Sequence, residues 1–578
     1  MTGTRPAVWA PRPERVELVL GAERHAMRRR EDGWWHADVE LPPGTDYAFS
    51  LDGGEPVPDP RSPWQPSGVH GPSRTVDHDA FAWTDSGWQA PPLADAVIYE
   101  AHVGTFSPDG TFDAAIERLP DLADLGVTHL ELMPVVEFSG DRGWGYDGVD
   151  LFAPHHAYGG PDGLKRLIDA AHAHGLAVLI DVVYNHLGPE GNYLSRFGPY
   201  FSHKYATPWG DAVNFDERGS HEVRRFVVDN ALLWLRDYHA DGLRLDAMQA
   251  IFDMSAVQIG EEIATAVHRL GEELRRRLVV TAESDLNDPR LVRRPARGGY
   301  GMDAAWADDV HHALHAALSG ETNGYYVDFT DAAALPRALH DPYLYADRYS
   351  AHRGRRHGRA ADDVPGDRFI ACLQNHDQVG NRARGDRLAQ VVSPGRARIG
   401  AALLLTSPYV PLLFAGEEWG ASTPFRYFTG HASPELAQAV REGRRNEFVH
   451  FGWDPADVPD PQDPETFHDS KLRWDERREP EHAAMLEWYR SLIALRRELP
   501  ELRDGDRSAV GVDGRSDSLL TVRRGRVTVA ANLGTGPAGV AASGDIRLAW
   551  PPELALDAGD GSAATVPPDG VVVLVERR

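Results

Sequence analysis

The sequence predicts an α/β fold, a (β/α)8 TIM barrel with an N-terminal β-sandwich and a C-terminal β-sandwich, on three observations. Beyond Ala96, short apolar runs alternate with amphipathic stretches of helical period, the pattern of parallel strands joined by crossover helices. Eight such runs precede the point near Leu499 where the alternation stops. At 578 residues the chain is too long for one hydrophobic core, which leaves room for a smaller domain on each side of a barrel.

In chain order, residues 1–90 read as a small sandwich, with strand-like segments at 16–20, 34–41 and 47–51 separated by Pro and Gly turns. Trp34 and Trp35 lie on the second segment; core packing is the common fate of strand tryptophans, with a glycan platform as the alternative. Residues 81–92, containing Trp and Pro, read as a linker. The barrel is assigned to 91–500, with strands at 96–103, 127–134, 177–183, 242–246, 278–283, 303–307, 369–374 and 410–415. Between the second and third, Leu164, Leu167, Ile168 and Ala171 repeat at helical spacing, with Pro161 near the start and Gly175 past the end. Residues 187–216 hold many Gly, Pro and aromatic residues without a period and read as a long loop insertion, a feature that is usually functional. Residues 501–578 return to short strands, at 518–523, 526–533 and 570–575.

Composition narrows the function classes. An apolar fraction of 42% and a charged fraction of 25% describe an ordinary globular chain. The formal net charge of −27 repels nucleic acid and anionic membrane surfaces, so neither is expected as a partner. No apolar run approaches the roughly 18 residues that span a bilayer, and the first residues mix prolines and charges instead of forming a signal-peptide core. A cytoplasmic location is expected. The single cysteine, Cys372, lies in an apolar run and reads as core; it permits neither an intrachain disulfide nor a thiolate metal site. No cofactor and no metal is expected.

In a barrel the reactive side chains project from the C-terminal ends of the strands. Four strands end in charged or reactive groups: Asp181 to Asn185-His186 closes the third, Arg244-Leu-Asp246 the fourth, Glu283 the fifth, and Gln374-Asn-His376-Asp377 the seventh. Any one acid there is more often a helix cap or a surface residue than a reactive group. Together, Asp246, Glu283 and Asp377, with Arg244 and two His from one rim, are expected to converge on one pocket. Glycoside hydrolysis uses such convergence, because its oxocarbenium-like transition state needs a carboxylate below the ring and an acid at the leaving oxygen. Arg244 stands two residues before Asp246, on the same strand face, and can hold that carboxylate ionised.

These runs resemble the four motif regions of the α-amylase superfamily, glycoside hydrolase family 13. The resemblance implies Asp246 as nucleophile, Glu283 as general acid/base, and Asp377 as the carboxylate that grips sugar hydroxyls. Asp181, Arg244, His186 and His376 match the surrounding polar shell, and Tyr146, in Gly143-Trp-Gly-Tyr-Asp147, matches a tyrosine that packs on the sugar.

Within that superfamily, Gly188-Pro-Glu-Gly-Asn-Tyr193, Thr207-Pro-Trp-Gly-Asp211, Glu283-Ser-Asp-Leu-Asn287, Asn375-His-Asp-Gln-Val-Gly-Asn-Arg382 and Thr423-Pro-Phe-Arg-Tyr427 are similar to the maltooligosyltrehalose trehalohydrolases. Val8-Trp-Ala-Pro11 and Gly33-Trp-Trp-His36 resemble the carbohydrate-binding-like sandwich those enzymes share with branching and debranching enzymes. The resemblance implies a maltooligosyltrehalose substrate, cut next to its terminal trehalose, and an upstream maltooligosyltrehalose synthase. Trp209, Phe425 and Tyr427 are candidates for the trehalose side, with loop packing as the alternative. Gln249-Ala250 departs from the Lys-His of many α-amylases and from the His that trehalohydrolases commonly carry near Gln249, which bears on the leaving-group side. Asn185 matches a calcium ligand of some relatives, but no further ligand can be placed. A branching enzyme, a general α-amylase and a non-catalytic glucan-binding protein are the rival readings; free trehalose among the products separates them.

Overall fold

The computed structural model describes residues 3–449, 458–514, 519–541, 544–554 and 563–577. Two antiparallel sheets lead the chain. One pairs Ala7–Trp9 with Trp34–His36 and Arg28–Arg29; the other runs Glu23–Ala26, Val16–Leu20, Asp46–Leu51, Ser73–Arg74. Val16 and Leu18 point into the core at alternate positions, as period two requires. The strand expected over 34–41 stops at His36, and the chain returns to Thr4 only through a bridge at Leu41. Trp35 is buried and its indole N–H donates to Ala10 O (2.9 Å). Trp34 is wedged between the guanidinium groups of Arg61 (5.7 Å) and Arg225 (5.8 Å), the latter on a barrel helix. Both rings are therefore packing groups.

Residues 81–92 do not form a free linker. Trp83 stacks on His239 (3.8 Å between centroids) and Trp88 on His172 (4.6 Å), so the segment is bonded to the base of the barrel. Aromatic faces that find flat polar partners gain more from docking than from exposure. Asp241 is the polar centre of this seam. It accepts from Trp88 Nε1 (2.9 Å), His172 Nε2 (2.9 Å), Val178 N (2.9 Å) and Arg276 Nη2 (3.0 Å). Burial works against its charge, but His172, Arg276 and the Val178 amide outweigh it and hold the carboxyl below its ordinary range. A depressed folded-state pKa contributes stability that is present above the unfolded value and lost as pH falls through the folded one. Asp241→Asn is accordingly expected to cost about 1.5–3 kcal/mol at neutral pH. In urea denaturation that difference should shrink below about pH 4.

The barrel closes through eight parallel strands in the order Ile98–Ala101, His129–Leu132, Ala177–Val182, Gly242–Leu245, Val279–Ala282, Ala304–Trp306, Phe369–Cys372, Val410–Phe414, the last pairing back on the first. Each coincides with a predicted run. The helix marked by Leu164 to Ala171 spans Gly160–Ala173, with Pro161 in its first turn and Gly175 in the left-handed region past its end. Cys372 is buried on the seventh strand. The stretch 187–216 is not a featureless loop: it holds the turn Leu194–Phe197 and a hairpin, Phe201–Thr207 against Gly210–Val213.

The chain ends in a five-stranded antiparallel sheet, Val510–Gly514, Leu519–Arg524, Val527–Asn532, Val571–Val575, Asp545–Trp550, beside the pair Ala538–Ala541 and Ala563–Val566. Residue 518, where the first strand was expected to begin, lies outside the described residues. Arg398, on the barrel helix Pro394–Leu405, stacks on Trp550 (3.8 Å) and fastens this sheet to the barrel. Among the described residues no helix is long and apolar enough to cross a membrane.

Candidate active site

Arg244 is the hub of the C-terminal rim. The register places it directly opposite Asp181 on the third strand and Thr281 on the fifth, so its side chain shares one inward-facing layer with theirs. The backbone ladder runs one step past the fourth and fifth strands: Asp246 N donates to Val182 O (3.1 Å) and Glu283 N to Leu245 O (3.0 Å). Asp246 and Glu283, from adjacent strands, therefore stand one step above the layer of Asp181 and Arg244. Arg244 Nη1 donates to both Asp181 oxygens (2.9 Å each) and to Asp246 Oδ1 (2.8 Å), and Nη2 donates to Glu283 Oε2 (2.9 Å). Its guanidinium also lies 4.5 Å from the Trp306 ring. Burial works against the charge on Arg244, but Asp181, Glu283 and Asp246 outweigh it and hold the guanidinium well above its ordinary pKa.

Each acid has its own surroundings. Asp246 Oδ2 accepts from Asn185 Nδ2 (2.7 Å), so both of its oxygens are hydrogen-bonded. The amide of Asn185 is thus committed to Asp246. Glu283 Oε2 also accepts from Ala247 N (2.9 Å), an N–H aimed there because Ala247 sits in the left-handed region at φ 40° and ψ 54°. Burial, reinforced by Asp246, Asp377 and Asp308, pushes the Glu283 carboxyl well above the usual carboxylate range, with Arg244 opposing. Burial likewise lifts Asp181 to about 6 against the pull of Arg244.

The opposite wall comes from the loop after the second strand and from the seventh strand. Gly145, at φ 96°, is required there: a Cβ would lie 2.3 Å from Pro134 O. It delivers Tyr146, whose hydroxyl donates to Asp181 Oδ2 (2.7 Å) and accepts from His376 Nε2 (2.8 Å), with the two rings stacked at 5.2 Å. His376 is clamped from beneath by Glu100, through Nδ1 (2.5 Å) and its backbone N (2.9 Å). Burial opposes charging of this imidazole, but Glu100 and Asp377 prevail and raise its pKa to about 10. Asp377 lies in the first turn of the helix His376–Gly380, capped by Asn375. Its carboxylate is 40% exposed, open to the cleft, and accepts from Asn381 Nδ2 (3.1 Å). His186 bonds Asn185 and stacks on Trp209 (4.5 Å), which sits at the hairpin turn and is 51% exposed.

Two expected aromatics differ. Phe425 is only 1% exposed, stacked behind Trp144 (5.2 Å) and packed on Phe414 and Phe428, so it has no face to offer a sugar. The reason is tertiary: Trp144 fills the space over Gly380 and presses on Phe425. Tyr427 is half-buried, edge-on to Trp144 with the Arg444 guanidinium over its ring (4.9 Å). Sequence reasoning missed Glu100, Trp306 and Asp308. Glu100 precedes the end of the first strand and faces inward; an acid in an otherwise apolar strand was the signal available for it.

Among the described residues, Glu137, His155 and His156 bring ligand-type atoms within 4.8 Å of one another. His155 Nδ1 accepts from Ala157 N (3.1 Å), its Nε2 donates to Gly140 O (3.2 Å), and His156 Nδ1 bonds Glu137 (2.7 Å). The cluster is satisfied internally.

Residues 76–209 match the model of the α-amylase catalytic domain, and residues 1–65 that of carbohydrate-binding module 48, the isoamylase N-terminal domain. A malto-oligosyltrehalose trehalohydrolase of Mycobacterium tuberculosis is 51% identical over 94% of this chain and 95% of its own. That of Arthrobacter ramosus is 50% identical over 97% and 98%. The crystal structure of a putative α-amylase from Salmonella typhimurium superimposes with a TM-score of 0.91 at 41% identity, covering 99% of this chain and 97% of that one. With half its residues shared along nearly its full length, the chain belongs to the malto-oligosyltrehalose trehalohydrolase family.

Proposed function

We propose that this chain hydrolyses the α-1,4-glucosidic bond next to the terminal α,α-trehalose of a maltooligosyltrehalose, releasing trehalose and a shortened maltooligosaccharide. The observation that carries this reading is the near full-length identity to trehalohydrolases in a chain whose Arg244 holds Asp181, Asp246 and Glu283 together. Asp246 attacks C1 from below and forms a glycosyl-enzyme, while Glu283, kept protonated by burial, gives its proton to the leaving trehalose oxygen. Glu283 then takes a proton from water, which attacks C1 from the vacated face, so two inversions leave the anomer α. One guanidinium bonding both carboxylates through adjacent nitrogens suits the short separation of about 5–5.5 Å used by retaining enzymes.

Asp377, with its open carboxylate, accepts hydroxyls of the glucosyl unit, and Tyr146, His186, Arg244, Asp181 and His376 frame that unit. Trp209, stacked on His186, and Tyr427, packed on Trp144, lie beside the groups that frame this unit and are proposed as sugar contacts on that side; the expectation for the trehalose side rests on resemblance alone, and Phe425 acts only by backing Trp144. The same reading divides the chain at about residues 90 and 500, places it in the cytoplasm, and has a maltooligosyltrehalose synthase supply its substrate.

Chromatography of products from maltotriosyltrehalose and from maltopentaose tests this. Free trehalose and maltotriose from the first, with slow attack on the second, is the expected result; equal cleavage of both would mean a general amylase. The general acid must be protonated to act, so kcat on maltotriosyltrehalose should decline as pH rises through the raised Glu283 pKa.

A further inference from the structure

The sixth strand ends at Trp306, and two aspartates open the helix Asp308–Ser319 that follows. They differ sharply in surroundings. Asp309 is buried, and one of its oxygens accepts from Asn287 Nδ2 (2.8 Å), Leu344 N (2.7 Å) and Tyr345 N (3.0 Å), which ties the helix start to two loops. Asp308 is half-buried and makes no hydrogen bond or ion pair with any described residue. Burial, with Asp377 and Asp309 beside it, lifts its carboxyl to about 7, so the ionised form prevails above neutral pH, where its charge and those of Asp377 and Glu283 act on one another. An unpaired acid beside two others is unfavourable to folding, and Asp309 already supplies a negative charge to the same first turn. Asp308 is thus, among the described residues, a partly exposed hydrogen-bond acceptor without a donor, one residue past Ala307 at the C-terminal rim of the barrel.

Strand order gives it a side. In a closed ring of eight, the sixth strand stands across from the second, while Glu283 ends the fifth, its neighbour. Tyr146 follows the second strand, and Asp181 and His186 end the third; these groups hold the unit that is attacked. Glu283 protonates the oxygen between that unit and the departing one, so the region beyond Glu283, away from Tyr146, receives the leaving sugar.

We propose that Asp308 binds the leaving trehalose, its two carboxylate oxygens accepting neighbouring hydroxyls of the glucose ring next to the cleaved bond. The proposal rests on the assignment of Glu283 as the acid. A carboxylate suits this task because it only accepts, and a sugar diol offers two donors at matching spacing. It also selects: a leaving unit with its hydroxyls elsewhere would leave a half-buried charge unsatisfied.

The test compares Asp308→Asn with the unaltered enzyme on maltotriosyltrehalose and on α-maltotriosyl fluoride, whose leaving group occupies no sugar site. Loss of charge-assisted hydrogen bonds should lower kcat/KM about tenfold more for the trehalose substrate than for the fluoride. The inhibition constant of added trehalose should rise by a similar factor. Equal losses on both substrates, or no loss on either, would overturn the proposal, as would a variant changed only in thermal stability. Glu283→Gln, run alongside, should fail on maltotriosyltrehalose yet still release fluoride in a first turnover. Full activity of that variant on both substrates would refute the assignment of the acid, whatever Asp308 does.

Discussion

Replacing Asp246 with Asn should lower kcat on maltotriosyltrehalose by about 10⁴-fold or more while leaving the barrel folded. The amide is nearly isosteric, but it carries no charge and cannot form the glycosyl ester. It also meets two donors, Arg244 Nη1 and Asn185 Nδ2, where the carboxylate accepted from both, so one contact turns repulsive. A modest stability loss in urea denaturation should accompany an unchanged circular-dichroism spectrum. The fluoride substrate separates the two carboxylates: a leaving group that needs no proton dispenses with Glu283 but not with the nucleophile. Asp246→Asn should therefore remain inactive on it. A rate within tenfold of the unaltered enzyme would remove Asp246 from the mechanism.

Arg244→Ala should be the most destabilising single change at the rim. The guanidinium is fully buried and bonds three carboxylates, so its removal strands Asp181, Asp246 and Glu283 without a counter-charge. Breaking one partner out of a buried ion network costs about 3–5 kcal/mol. Part of that cost should be relieved by proton uptake onto the stranded acids, so the variant should recover stability toward low pH. Arg244→Lys keeps a charge but cannot reach Asp246 and Glu283 from two fixed nitrogens, and it should fall between the two. Stability of the Ala variant within 1 kcal/mol of the parent in equilibrium unfolding would show that the network is not held by Arg244.

Legibility in the sequence followed the physics that each feature depends on. The barrel strands were readable because a buried parallel strand is a continuous apolar run, a local property; the three-residue strand Ala304–Trp306 was the faintest of the eight because so short a run carries little pattern. Asp246, Glu283 and Asp377 were readable because strand ends and carboxylates are both visible in one dimension. The hairpin in 201–213 was not, because its register breaks between Ser202 and Ala206 and Gly and Pro mask its alternation. The docking of 81–92 under the barrel and the burial of Phe425 depend on partners far along the chain, His239 and Trp144 among them. Asp308 escaped notice for a subtler reason. A pair of acids at a helix start reads as favourable charge placement, and only the contacts of Asp309 show that its neighbour is left without a partner.

The left-handed backbone at Ala247 narrows what evolution can write beside Asp246. A residue with a Cβ pays roughly 1–2 kcal/mol to stay there, and a β-branched one pays more. Glycine, asparagine and aspartate are the replacements for alanine that this conformation favours, whatever sugar the cleft accepts. Divergence of specificity around Asp246 must therefore come from residues after Ala247 or from other strands, because position 247 is reserved for aiming an amide at Glu283.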